Sequence, residues 1–108
     1  MTYIYKNIKG TEGTSQVIYD IVNTTAIVSS ISIANVHDSN HAMVNLFIFR
    51  RPTVSTTERF YIIKNLEVLT GTTVVLEEDE IGYDPKVHML YIEVKSRVSE
   101  VDVKLTIK

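Results

Sequence analysis

The residues that most restrict the fold of this chain are those branched at Cβ. Its 14 valines, 13 isoleucines and 12 threonines make up 39 of the 108 residues, whereas three alanines and six leucines together make only nine. Branching at Cβ limits the side-chain rotamers within a helical turn but fits the pleated surface of a sheet. No segment shows a helical spacing of its apolar residues. The sequence therefore predicts an all-β protein.

Alternation of apolar and polar residues locates the strands. It is clearest near the C-terminus, where Val101, Val103, Leu105 and Ile107 alternate with polar side chains. Strands are expected at residues 3–6, 15–21, 26–36, 42–50, 59–64, 72–76, 87–95 and 101–107. We expect the loop at 96–100 to join the last two strands as a hairpin. Short strands at near-regular spacing are typical of sandwiches and small barrels. The prediction is a single domain over residues 1–108, a two-sheet antiparallel sandwich of jelly-roll type with about eight strands.

The charge balance and the lack of cysteine exclude several functions. The chain has 11 basic and 13 acidic residues, a formal net charge of -2, and no cysteine. Binding to nucleic acid or to an anionic membrane relies on a strong positive field, which this composition does not provide. The longest apolar runs are far shorter than the roughly 20 residues of a membrane-spanning helix. Without cysteine there is no disulfide, thiolate metal site or cysteine nucleophile. We expect neither nucleic acid nor a membrane as a partner.

Two polar segments carry residue types that bind metals. His37-Asp38-Ser39-Asn40-His41 places two imidazoles and a carboxylate on a turn between strands. A metal site needs three or four ligands held by neighbouring structure, and Asx hydrogen bonding already explains Asp and Asn at such a turn. The acidic run at 77–80, followed by Asp84, lacks the ligand spacing and the glycine of an EF-hand loop, so a solvated loop is expected. The sequence predicts no metal and no cofactor.

Catalytic motifs are also missing from the sequence. Gly10 and Gly13 precede a predicted strand and not a helix whose N-terminal amides would bind phosphate. No serine lies in a nucleophile-elbow pattern, and the three histidines follow no triad order. Paired carboxylates for hydrolysis would need a cleft, for which a small sandwich has little volume. We therefore expect a protein that is not an enzyme.

Two predicted strands are apolar on both faces, although a monomeric sandwich should leave one face of each strand in water. In residues 42–50, one apolar set is Val44, Leu46 and Ile48, and the opposite set is Met43, Phe47 and Phe49. The same is true of Phe60-Tyr61-Ile62-Ile63. Exposed aromatic patches usually mark contact sites. We predict a subunit interface formed by Phe47, Phe49, Phe60 and Tyr61. The alternative is that loops of the same chain cover these faces.

A closed homo-oligomer follows from such an interface, and a trimer is favoured by analogy with viral sandwiches that meet around a threefold axis. The last strand limits where the interface lies. Asp102, Lys104, Thr106 and Lys108 form a polar face that should remain in water. The contact is therefore expected on the other sheet.

Tyrosines motivate an alternative function. Sugars stack on exposed aromatic rings, and the chain offers Tyr3, Tyr5, Tyr61, Tyr83 and Tyr91 but no tryptophan. The alternative is a carbohydrate-binding β-sandwich module for host-surface glycans. Otherwise the tyrosine rings pack at strand edges or subunit contacts and leave their hydroxyls in water.

Short strands rich in Ile, Val and Thr occur in the segments 18–19, 23–28, 31–35, 61–65 and 71–77. A turn at Asn23-Thr24-Thr25, a Lys64-Asn65 pair closing a strand, and the final alternating strand accompany them. In these features the chain resembles small virion structural proteins of tailed bacteriophages. This resemblance implies a non-enzymatic component of the virion, on the capsid surface as a decoration protein or at the neck or tail. It implies contact with other virion proteins and assembly in the host cytoplasm.

Overall fold

The computed structural model describes residues 2–10, 17–20, 27–50, 59–84, 87–95 and 98–108. These residues form eight strands and one helix of a single turn. In chain order they are β1 (Thr2–Lys9), β2 (Val17–Asp20), β3 (Val28–Asn35), β4 (Ala42–Arg50), β5 (Arg59–Val68), β6 (Thr73–Glu77), α1 (Glu78–Ile81), β7 (His88–Val94) and β8 (Glu100–Ile107). The all-β prediction is confirmed. No helix in these ranges is long and apolar enough to cross a membrane. The turn expected at Asn23-Thr24-Thr25 lies outside the described residues.

The strands form two antiparallel sheets, ordered β1-β8-β3-β6 and β2-β7-β4-β5. The first strand pairs with the last, the second with the seventh, the third with the sixth and the fourth with the fifth. This nesting corresponds to a long antiparallel ribbon folded over on itself, which is jelly-roll connectivity. The predicted two-sheet sandwich of jelly-roll type is confirmed.

The predicted hairpin between the last two strands is wrong. β7 lies between β2 and β4 in one sheet, whereas β8 lies between β1 and β3 in the other. The chain therefore crosses from one sheet to the other between Val94 and Glu100. Alternation identifies which face of a strand is buried, and it carries no information about the neighbour with which that strand pairs.

The core lies between the two inner faces and is almost entirely aliphatic. On β8 the expected alternation is present, with Val101, Val103, Leu105 and Ile107 buried and Asp102 and Lys104 exposed. The other strands contribute mainly Ile8, Val28, Ile31, Ile33, Val44, Leu46, Val68, Leu76, Leu90, Ile92 and Val94. Each such side chain contributes roughly 1.5–3 kcal/mol when it leaves water. Because this core occupies the inner faces, the candidate sites lie on the two outer faces.

β5 continues past the point where the sequence predicts its end. Leu46 pairs with Ile63 and Val44 with Leu66, so two residues of β5, Lys64 and Asn65, lie opposite one residue of β4. Asn65 has φ 58, a left-handed conformation that asparagine tolerates better than most residues. The Lys64-Asn65 pair therefore forms a β-bulge and does not close the strand.

A second register shift allows two consecutive residues of β5 to pack inward. Leu46 pairs with Ile63 and Phe47 with Tyr61, which leaves Ile62 as the extra residue. Ile62 and Ile63 both pack against the core. The apparent two-sided hydrophobicity of Ile62-Ile63 is thus explained within the chain, by irregular pairing.

The acidic segment contains a helical turn where a solvated loop was expected. The Glu80 side chain accepts a hydrogen bond from the Glu77 backbone N–H at 2.9 Å, as in a capping box. Ile81 is buried in the core, and Gly82 ends the turn at φ 35. Glu78, Asp79 and Glu80 are exposed, as expected. A helix of four residues is too short to give a periodic signal in the sequence.

Candidate functional site

The outer face of the β2-β7-β4-β5 sheet carries four aromatic side chains, which we call the aromatic cluster: Phe47 and Phe49 on β4, Tyr61 on β5 and Tyr91 on β7. Pairing brings them together, because Phe47 lies opposite Tyr61 on one side and Tyr91 on the other. Directly paired residues share a face of the sheet, so their rings meet.

The rings of the aromatic cluster pack in favourable geometries. Phe47 stacks on Tyr91 with centroids 5.7 Å apart and planes at 11°. Phe49 lies edge-on to both rings, 5.5 Å from Phe47 and 5.2 Å from Tyr91. The Arg59 guanidinium lies 4.3 Å from the centroid of the Phe47 ring, in a cation–π contact. Stacked and edge-on pairs each contribute about 0.5–1.5 kcal/mol beyond burial.

The four residues predicted to form an interface have different environments. Phe47 is 0% exposed although it lies on the outer face, outside the aliphatic core. Phe49 is half-buried beside it, and Tyr61 is 39% exposed at the edge of the cluster. Phe60 is 51% exposed but belongs to the opposite face, where its ring meets His88. The structure therefore brings Phe47, Phe49 and Tyr61 together and separates Phe60 from them.

A buried polar network, missed in the sequence, adjoins the aromatic cluster. The Asn45 side-chain amide donates to Glu93 Oε1 at 2.8 Å, and the Asn65 backbone N–H donates to Asn45 Oδ1 at 2.7 Å. Glu93 is only 4% exposed, and its other carboxylate oxygen lies 4.0 Å from Arg59 Nη1. A buried carboxylate needs such partners. The sequence feature that could have revealed this network is Asn45, a polar residue in the middle of an apolar strand.

The outer face of the other sheet carries a cavity of about 400 Å³, which we call the β3 groove. Its lining includes Tyr5 and Asn7 from β1, Asp102 and Lys104 from β8, and Ser32 and Ala34 from β3. Register arranges them in two rows across the sheet, Tyr5–Lys104–Ser32 and Asn7–Asp102–Ala34. The depression exists because the two β3 side chains are small.

The polar side chains around the β3 groove are held in place. Asn7 Nδ2 donates to Asp102 Oδ1 at 2.6 Å and to Glu100 Oε2 at 2.9 Å. Lys104 Nζ lies 5.8 Å from the centroid of the Tyr3 ring. Asp102 and Lys104 are exposed, as expected for the polar face of the last strand.

The two histidines of residues 37–41 do not lie in a metal-ligating cluster. His37 Nδ1 accepts hydrogen bonds from the backbone N–H groups of Ser39 at 3.1 Å and Asn40 at 3.0 Å. His41 Nδ1 lies 3.8 Å from Glu67. Within the part of the chain that the structure describes, no three His, Asp or Glu side chains are close enough to hold a metal ion. His37 closes the turn with its imidazole, a role for which asparagine or aspartate was expected.

The tyrosines proposed as sugar platforms differ in accessibility. Tyr83 packs against the core, and Tyr91 is half-buried in the aromatic cluster. Tyr5 is 71% exposed, and the Tyr3 ring lies 6.4 Å from it, also exposed. Tyr3 and Tyr5 are thus the most accessible of these five tyrosines.

The fold and its two outer faces define the class of this protein as an antiparallel β-sandwich with jelly-roll connectivity. Comparison with protein-family models, with curated proteins and with solved structures finds no match to the chain.

Proposed function

We propose that this protein is a non-enzymatic structural component of a bacteriophage virion that self-associates and binds a larger viral scaffold. It would act as a capsid decoration protein or as a neck or tail component. The sequence resemblance motivates the viral context, and the aromatic cluster carries the assembly role. A sandwich that acted alone would be expected to present polar side chains on this outer face.

The aromatic cluster has the composition of an interface centre. Tyrosine, phenylalanine and arginine are enriched at protein–protein contacts, and all three occur here within one patch. Tyr61 and Phe49 are incompletely buried, and Arg59 is already fixed over the Phe47 ring. Side chains that are ordered before association lose less entropy when the partner arrives. Phe47 itself is covered within the chain, so it supports the patch from beneath and does not contact the partner.

A second copy of the chain is the partner that we propose for this patch. A patch that lies at the rotation axis contacts the same patch of each neighbouring copy and gives a closed oligomer, and the trimer is favoured by analogy. The polar face of β8 belongs to the opposite sheet and remains in water in this arrangement. The assembled ring would then attach to other virion proteins.

Sedimentation velocity tests the assembly. The wild-type protein at high micromolar concentration should sediment as an oligomer, and Tyr61→Asp should give a monomer with an unchanged circular dichroism spectrum. Lys104→Glu, an exposed charge reversal on the other sheet, is the matched control and should assemble like the wild type. A wild-type protein that is monomeric throughout would contradict self-association. Phe47→Asp is unsuitable because it would place a carboxylate in a fully buried position.

Mass spectrometry of purified phage particles tests the viral role. Particles that carry this chain in many copies, in a fixed ratio to the major capsid or tail protein, are the expected result. Its absence from particles of a phage that encodes it would refute the virion assignment.

A further inference from the structure

We propose that the β3 groove is a binding site for a neutral saccharide. The groove lies on the sheet opposite the aromatic cluster, so the inference does not depend on the proposed assembly. It gives the chain a second, recognition surface that would remain accessible in an oligomer formed through the other sheet.

The shape of the groove follows from three adjacent strands. β1 places Tyr5 and Asn7 along one side, β8 places Lys104 and Asp102 next to them, and β3 contributes only small side chains. The volume of about 400 Å³ falls within the range of roughly 300–1,000 Å³ typical of small-ligand sites. A small flat molecule can lie over β3 against the taller side chains of β8 and β1.

The chemistry of the lining suits a sugar ring. A pyranose has an apolar face of C–H groups, which the exposed Tyr5 ring can stack on, and hydroxyls that both donate and accept hydrogen bonds. The lining offers both roles: the Lys104 ammonium donates, the Asp102 carboxylate accepts, and the Ser32 hydroxyl does either. An apolar ligand would displace water from these polar groups without replacing the hydrogen bonds that the water makes.

The charges around the groove favour a neutral ligand. Lys104 and Asp102 line the groove, Glu100 is joined to Asp102 through the Asn7 amide, and Lys9 pairs with Glu100 on the same face of the sheet. Two cations and two anions balance formally, so neither an anionic nor a cationic ligand gains a net attraction. The Asn7 bridge also fixes both carboxylates before a ligand binds, which lowers the entropy lost on binding.

A glycan array followed by calorimetry tests this site. The full-length protein is screened against neutral and anionic oligosaccharides, and a neutral oligosaccharide that binds is then titrated into the wild type and variants. Tyr5→Ala should weaken binding about tenfold or more, which corresponds to about 1.4 kcal/mol. Ala34→Leu should fill the groove and abolish binding. Phe60→Ala, on the opposite sheet and outside the aromatic cluster, should leave the affinity unchanged.

Several results would overturn the proposal. These are the absence of binding to any neutral oligosaccharide at millimolar concentration, binding only to anionic glycans, and an affinity that Tyr5→Ala and Ala34→Leu leave unchanged. Sedimentation of the same variants identifies a different occupant. If Tyr5→Ala dissociates an oligomer and no glycan binds, the groove is a protein contact and the saccharide proposal is wrong. Failure of self-association with glycan binding intact would refute only the proposed assembly.

Discussion

Truncation of Phe47 should destabilise the fold as strongly as truncation of a residue between the sheets. Phe47 lies outside the aliphatic core but is 0% exposed, and its ring contacts Phe49, Tyr61 and Tyr91. Phe47→Ala removes a fully buried ring and leaves a cavity, which typically costs about 3–5 kcal/mol. That is a large share of the roughly 5–15 kcal/mol by which a domain of this kind is stable.

The matched control is Phe60→Ala on the same sheet. Phe60 is 51% exposed, so removing its ring returns only part of a transfer energy of about 1.5–3 kcal/mol, and we expect a loss of about 1 kcal/mol. Phe47→Leu keeps some of the apolar volume but loses the ring pairs, and we expect an intermediate loss of about 1–2 kcal/mol.

Urea denaturation followed by circular dichroism and tyrosine fluorescence measures these differences, since the chain has six tyrosines and no tryptophan. Each variant is measured at several protein concentrations, because dissociation of an oligomer would add a concentration-dependent term to the midpoint. The order expected for the loss of unfolding free energy is Phe47→Ala, then Phe47→Leu, then Phe60→Ala. If Phe47→Ala costs no more than Phe60→Ala, Phe47 is not part of a packed cluster.

Three further predictions concern the polar network and the turns, and chemical denaturation checks each of them. Asn65→Val should lower the free energy of unfolding by about 1–2 kcal/mol, because a β-branched residue is strained at φ 58. Asn65→Gly should lie within about 1 kcal/mol of the wild type, since glycine removes the backbone strain but loses the hydrogen bond donated by Lys95. Glu93→Leu should cost about 1–3 kcal/mol because the buried Asn45 amide loses its acceptor, and Glu93→Gln, with its oxygen retained, should cost less; equal losses would show that this hydrogen bond is unimportant. Gly71→Ala should cost about 1 kcal/mol from backbone strain at φ 75 alone, since no atom lies within 4 Å of the added Cβ; an unchanged midpoint would refute that strain.

Strand positions were predictable because each one depends on a local pattern. The expected strand at 42–50 coincides with β4, and the expected 101–107 differs from β8 by one residue. Pairing was not predictable in the same way. The sheet to which β7 belongs depends on how the apolar faces of all the strands pack together. The bulge at Asn65 depends on a hydrogen bond with Asn45, 20 residues earlier.

The two surfaces differ in how visible they were in the sequence. The excess of aromatic residues on β4 and β5 indicated the aromatic cluster. Phe60 lies apart from it because consecutive residues of a strand point to opposite faces, and its neighbour Tyr61 lies on the face of the cluster. The β3 groove depends on Ser32 and Ala34 being small next to Tyr5 and Lys104 on strands distant in sequence. Only the register of β1, β8 and β3 places those residues side by side.

The central position of β8 has a consequence for how the protein is made. β8 lies between β1 and β3, so β1 has its pairing partner only when the six intervening strands and β8 itself have emerged. Contacts between residues so far apart in sequence fold slowly. During synthesis, β1 therefore remains unpaired, and its Ile4 and Ile8 side chains remain uncovered. Exposed strand edges promote aggregation during this period. A ribosome that stalls before residue 100 would release a chain whose sheet lacks one of its two interior strands. Such a fragment should be a substrate for chaperones or proteases rather than a shortened version of the fold.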